Sequence, residues 1–132
     1  MINMYILLTL DPHKGYTPSI INDLVCMNGC SIPAVGEKLR IYNDEADEVG
    51  HIIGNIVEAS VAPYDHPDNL DYQWATVILK VDLDGDYVTQ LRQSLIYFGN
   101  GCNVPGLGGT VCHGGQVIAD VASVAIQEPR DN

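Results

Sequence analysis

Basic residues are scarce in this chain: six Lys and Arg stand against 17 Asp and Glu, for a formal net charge of −11 over 132 residues. The six, Lys14, Lys38, Arg40, Lys80, Arg92 and Arg130, are scattered singly. Neutralising several phosphates takes clustered cations, so direct binding to nucleic acid is not expected, and anionic membranes are disfavoured for the same reason. A basic protein surface, or a neutral or cationic small molecule, fits the imbalance; otherwise the charge serves solubility. No apolar run approaches the ~20 residues that cross a bilayer, and the start, MINMYILLTLD, carries no positive leader. The four cysteines are then expected to be reduced, in a cytoplasm. Repeats, low-complexity segments and a second domain are also missing. The chain reads as one domain over 1–132, with a frayed tail at 129–132, and it is long enough to need neither disulfide nor metal for stability.

What is present centres on residues 50–84. In YQWATVILKVDLD, Ala75, Val77, Leu79, Val81 and Leu83 fall on one side and Trp74, Thr76, Lys80, Asp82 and Asp84 on the other, the alternation of a half-buried strand. In GHIIGNIVEASVAPY, Ile53, Val57, Ala59 and Val61 share a face. The polar break DHPDNLD between them predicts an antiparallel hairpin with a long loop.

Around this hairpin, Ile2 to Leu10 reads as a strand inside the sheet, because its apolar run is too continuous for an edge. TPSIINDLVCMNG predicts a three-turn helix, with Thr17 as N-cap, Pro18 in the first helical position, Ile20, Ile21, Leu24 and Val25 at helical spacing, and Gly29 at the C-terminal cap. A short strand is expected at Lys38 to Tyr42, followed by an acidic turn. Asp84 or Asp86 can cap a helix reaching Phe98, striped by Val88, Leu91, Leu95 and Phe98. Gln116 to Gln127 reads as a strand buried on both sides. The order strand, helix, strand, strand, helix, strand, with one extra short strand, predicts a ferredoxin-like α+β sheet covered by two helices. The alternative is a small, partly open β-barrel with two peripheral helices.

No catalytic or metal motif stands out. Cys26, Cys30, Cys102 and Cys112 with His113 supply zinc-type ligands, but nine residues separate Cys102 from Cys112, which is not knuckle spacing. Asp82 to Asp86 fails as a calcium loop, since Tyr87 and Gln93 occupy the positions of its glycine and glutamate. The glycines of 99–115, seven of the thirteen, follow a helix instead of opening one, so they do not form a phosphate loop. No cofactor is therefore implied, and the expectation leans away from an enzyme.

Two functional readings remain. The first is a small acidic binding protein that acts by association, as a homodimer or on a basic protein surface, with Tyr64, Tyr72 and Trp74 as the interface group. The second places a small-molecule or thiol-dependent site at the Gly/Cys/His-rich linker 99–115, built from Cys102, Cys112 and His113, with His51 joining from elsewhere.

Overall fold

A computed structural model describes residues 2–27, 30, 32, 35, 36, 40–42, 48–51, 54–83 and 109–127. In chain order the elements are β1 (Ile2–Pro12), α1 (Pro18–Cys26), β2 (Arg40–Tyr42), β3 (Glu48–His51), β4 (Gly54–His66), β5 (Asn69–Leu83), β6 (Thr110–His113) and β7 (Gln116–Gln127). Five of the strands form one antiparallel sheet in the order β4-β5-β1-β7-β6, while β2 and β3 pair in a separate two-stranded ribbon.

The pleat explains the core. Met4, Ile6, Leu8 and Leu10 alternate along β1, and each lies across from a same-face residue of β5: Val81, Leu79, Val77 and Ala75. All eight are fully buried. Ile118, Ala119 and Val121 of β7 and Val111 of β6 extend the same apolar layer, and α1 covers it with Ile21 and Val25. The intervening residues of β1 and β5, among them Tyr5, Leu7, Thr9, Thr76, Ile78 and Lys80, are half-buried. The apolar run of β1 thus belongs to the central strand of the sheet.

α1 forms as its sequence predicts. The Thr17 hydroxyl accepts a hydrogen bond from the Ile20 amide at 3.2 Å, Pro18 opens the first turn, and Met27 takes the C-cap. The expected capping glycine, Gly29, and the expected second helix from Asp84 or Asp86 to Phe98 lie outside the described residues.

The ferredoxin-like expectation is corrected. Among the described residues 70% are in strands and there is one helix, and the five-stranded antiparallel sheet curls into a half-barrel. The partly open barrel weighed as the alternative is the nearer description. Strand length and bulges are the physical cause. β4 and β5 run for 13 and 15 residues, and twist accumulates along strands of that length. The register also shifts at Thr9/Leu10, Ile56/Glu58, Asp65/His66 and Val111/Cys112, and each bulge sharpens the local bend.

Three smaller expectations change for local reasons. The hairpin does form, with Val61 opposite Val77 and Ala59 opposite Leu79. Its loop, however, is only Pro67 and Asp68, because the strands continue through the polar residues to His66 and resume at Asn69. The bulge at Ile56/Glu58 turns Ile56 into the core and Val57 outward, so Val57 does not share the face of Ala59 and Val61. β7 is buried on one side only, since Ala122, Ser123 and Ala125 are exposed.

The two sheet edges are closed differently. On β4, Pro63 has no amide to offer, and the Ile56 carbonyl accepts from the Gly36 amide at 2.8 Å. On the other side β6 is four residues long and Cys30 bridges to His113. The β6–β7 connection is the pair Gly114 and Gly115, with φ of 57° and 81°. This left-handed pair is what a two-residue hairpin needs, and only glycine takes it without strain. Gly115→Val is expected to cost roughly 1–2 kcal/mol, read as a lower urea midpoint at unchanged slope.

Candidate functional site

One end of the half-barrel collects the polar and aromatic chemistry of the described chain. Antiparallel pairing brings the last residues of β1, β4 and β6 to the same end as the first residues of β5 and β7. Because Leu10 and Pro12 face the core, Asp11 projects from the opposite side of β1, where its partner across the ladder is Asp120. Two carboxylates facing each other across a ladder repel, and each has a compensating neighbour. The Tyr72 hydroxyl donates to Asp11 and lies 2.8 Å from the Pro12 carbonyl. His13 Nε2 lies 3.0 Å from the Asp120 carboxylate. That second pair is solvated, with side chains 41% and 56% exposed, so it contributes at most about 1 kcal/mol.

Tyr72 is the group most changed by this setting. Desolvation pushes its phenol well above the ordinary tyrosine range, and the hydrogen bond to Asp11, the Asp11 charge and the Asp120 charge add in the same direction. Each disfavours a phenolate, so Tyr72 is a firmly protonated donor.

Beside it the rings of the hairpin tip interlock. Tyr64 and Trp74 are partners across the ladder, with ring centroids 5.2 Å apart at 76°. His66 sits edge-on to Trp74 at 4.6 Å and 83°, and to Tyr72 at 5.4 Å and 63°. Such edge-to-face pairs are the preferred aromatic geometry. The Trp74 indole Nε1 is buried with no hydrogen-bond partner among the described residues. The tip is pinned by three further bonds. The Asp68 amide donates to His66 Nδ1 at 3.0 Å, the Asp71 amide to Asn69 Oδ1 at 3.1 Å, and the Gln73 amide group to Asp65 Oδ1 at 3.2 Å.

The rim continues across the turn after β1. The His13 amide donates to the Ile118 carbonyl at 2.8 Å, the Tyr16 amide donates to the His13 carbonyl at 3.0 Å, and the Tyr16 hydroxyl reaches Gln116 at 3.3 Å. Gln116 is the ladder partner of His113, which in turn meets Cys30. Cys112 precedes it on β6, with its sulfur 3.8 Å from the Thr110 hydroxyl.

The structure therefore gathers Tyr64, Tyr72 and Trp74, and adds His66, which a ring-by-ring reading of the hairpin would have found once the loop was shortened to two residues. It places Cys112 and His113 together on β6, on opposite faces of the strand. His51 stands on the ribbon strand β3, paired along the main chain with Arg40, and Cys102 lies outside the described residues. Asp11, His13 and Asp120 carry no motif in the sequence; only the β1–β7 register unites them.

Burial raises the Cys30 thiol to about 11, which leaves little thiolate at neutral pH. Alkylation of Cys30 is expected to lag well behind that of the exposed Cys26 near neutrality and to accelerate as pH approaches 11. Mass mapping of the labelled thiols checks this, and equal rates at neutral pH would contradict it. Among the described residues no group of three or more His, Cys, Asp or Glu is placed to hold a metal ion, and no helix is long and apolar enough to cross a membrane. The chain matches no protein-family model, no curated protein and no solved structure, so its chemistry is read from this rim.

Proposed function

We propose that this domain is a non-catalytic small-molecule receptor whose ligand is a small organic cation, docked at the rim formed by Asp11, Tyr72, His66, Trp74 and Asp120, with His113 at its far side. The observation that carries the reading is convergence. His13, His66 and His113 come from three separate connections, yet all lie at one end of the sheet with the Tyr64–Trp74 pair. Ligand sites combine aromatic surfaces with a few oriented polar groups, the composition of this rim. The cationic preference follows from the carboxylates of Asp11 and Asp120, the aromatic rings of the hairpin and the net charge of −11. A receptor also suits the protonated Cys30 thiol, which is a poor nucleophile.

Trp74 is the sole tryptophan, so its emission reports occupancy directly. Titration with a panel of polyamines, quaternary ammonium compounds and aromatic amines is expected to change Trp74 fluorescence and raise the melting temperature. Saturation at a hundredfold excess over Kd adds about 2.7 kcal/mol. Tyr72→Phe should weaken the response. A flat signal across all cations, with a response to carboxylic acids or nucleotides instead, would overturn the reading.

Association with a second copy of the chain or with a basic protein surface is a second reading. It is favoured by Leu70 and Tyr64 at the hairpin tip, 84% and 42% exposed. Light scattering on dilute protein tests the first form. Leu70→Asp should abolish any dimer without loss of fold, and a strict monomer at all concentrations would remove that form.

A further inference from the structure

We propose that the margin of β7 beyond β6 is a docking edge for an extended segment of a partner protein, apolar on one face and flanked by lysine or arginine. β7 runs from Gln116 to Gln127, but β6 pairs only with its first part, Gln116 to Asp120. Among the described residues, the last bond on that side runs from the Val121 amide to the Gly109 carbonyl at 2.9 Å. From Ser123 to Gln127 the strand keeps its ladder to β1 and has no neighbouring strand on its other side among the described residues. Alternate residues of an antiparallel strand turn N–H and C=O away from a given neighbour. The step beside β6 therefore offers a short row of backbone donors and acceptors to whatever lies next to it.

Natural sheets blunt such margins with proline, lysine, a bulge or short length. β4 has Pro63 and its register shifts, and β6 is short. The stretch from Ser123 to Gln127 has none of these: it is uncharged, and its register against Thr9 to Tyr5 is unbroken. Its two faces set what fits. Val124 and Ile126 are half-buried against the core, while Ser123, Ala125 and Gln127 are exposed, so a strand in which apolar and polar residues alternate extends both layers. Charge decides the partner. A second copy would bring another net charge of −11, whereas basic residues at the ends of a guest strand are drawn to this chain and to Asp120 next to the step. A foreign strand fills the step without templating a further copy of this chain, and the edge is independent of any ligand at the rim.

The test uses the intact chain and a synthetic peptide in which valine and threonine alternate between lysine ends. Amide exchange followed by NMR should show alternate amides from Ser123 to Gln127 exchanging freely in the chain alone. At saturating peptide they should slow by about fivefold or more, as expected for one new backbone bond each. Glutamate ends in place of lysine should weaken binding about tenfold at low salt, and N-methylation of the peptide backbone should abolish it. Ala125→Lys puts at an exposed position the residue that natural edges use as a guard. It should leave the melting temperature unchanged and remove the peptide's effect. Slow exchange at these amides in the free chain, protection that grows with protein concentration alone, no protection by the peptide, or equal binding by the N-methylated or glutamate-ended peptide would each overturn the proposal.

Discussion

Leu79→Ala is expected to lower the free energy of unfolding by about 2–5 kcal/mol, whereas Lys80→Ala, one residue along the same strand, should change it by less than about 0.5 kcal/mol. Leu79 is fully buried, lies between Ile6 on one side and Ala59 on the other, and sits under the layer that α1 closes. Truncation removes its transfer energy and leaves a cavity that the rigid ladders on both sides cannot collapse to fill. Lys80 projects from the opposite face and is half-buried. Urea denaturation of both variants measures the contrast. A loss at Lys80 equal to that at Leu79 would mean the pleat is inverted, and every face assignment here would fall with it.

Tyr72→Phe is expected to cost about 1–2 kcal/mol, because it removes the donor that shields Asp11 from Asp120 and leaves the Pro12 carbonyl without it. Asp11→Asn in the same background should recover part of the loss by removing the repulsion, a coupling that a double-mutant cycle isolates. The same hydroxyl predicts an alkaline signature. An unfolded tyrosine ionises near pH 10, and folded Tyr72 ionises higher, with burial the largest cause. The folded state thus holds this proton more tightly. Its stabilising contribution is complete below about pH 10 and is lost progressively as pH rises above that value. Ultraviolet titration of the phenols should show one tyrosine ionising last, and Tyr72→Phe should delete that step. A Tyr72 that titrates with the exposed phenols would refute it.

The sequence was most readable where a single period governed a long segment. The alternation of Ala75, Val77, Leu79 and Val81 named the buried face of β5 correctly, and Thr17-Pro18 marked the start of α1. It failed where geometry depends on register. Ile56 and Val57 are equally apolar, and only the bulge decides which is inside. The ferredoxin-like reading failed because curl is a sum of small twists and bulges along strands, none of which has a residue signature of its own. The site shows the same division. The aromatics of the hairpin were visible as neighbours in sequence, while Asp11, His13 and Asp120 meet only through the β1–β7 ladder.

The closed flanks of the sheet reach beyond the single molecule. A proline, a bulge and a borrowed glycine amide interrupt the long flank at β4, and the short one at β6 already holds Cys30. Neither offers a continuous row of free donors and acceptors on which another molecule could grow as a further strand. Crowded solutions of this protein should therefore stay clear of fibrillar polymer, and restoring an amide with Pro63→Val would be the change that invites it.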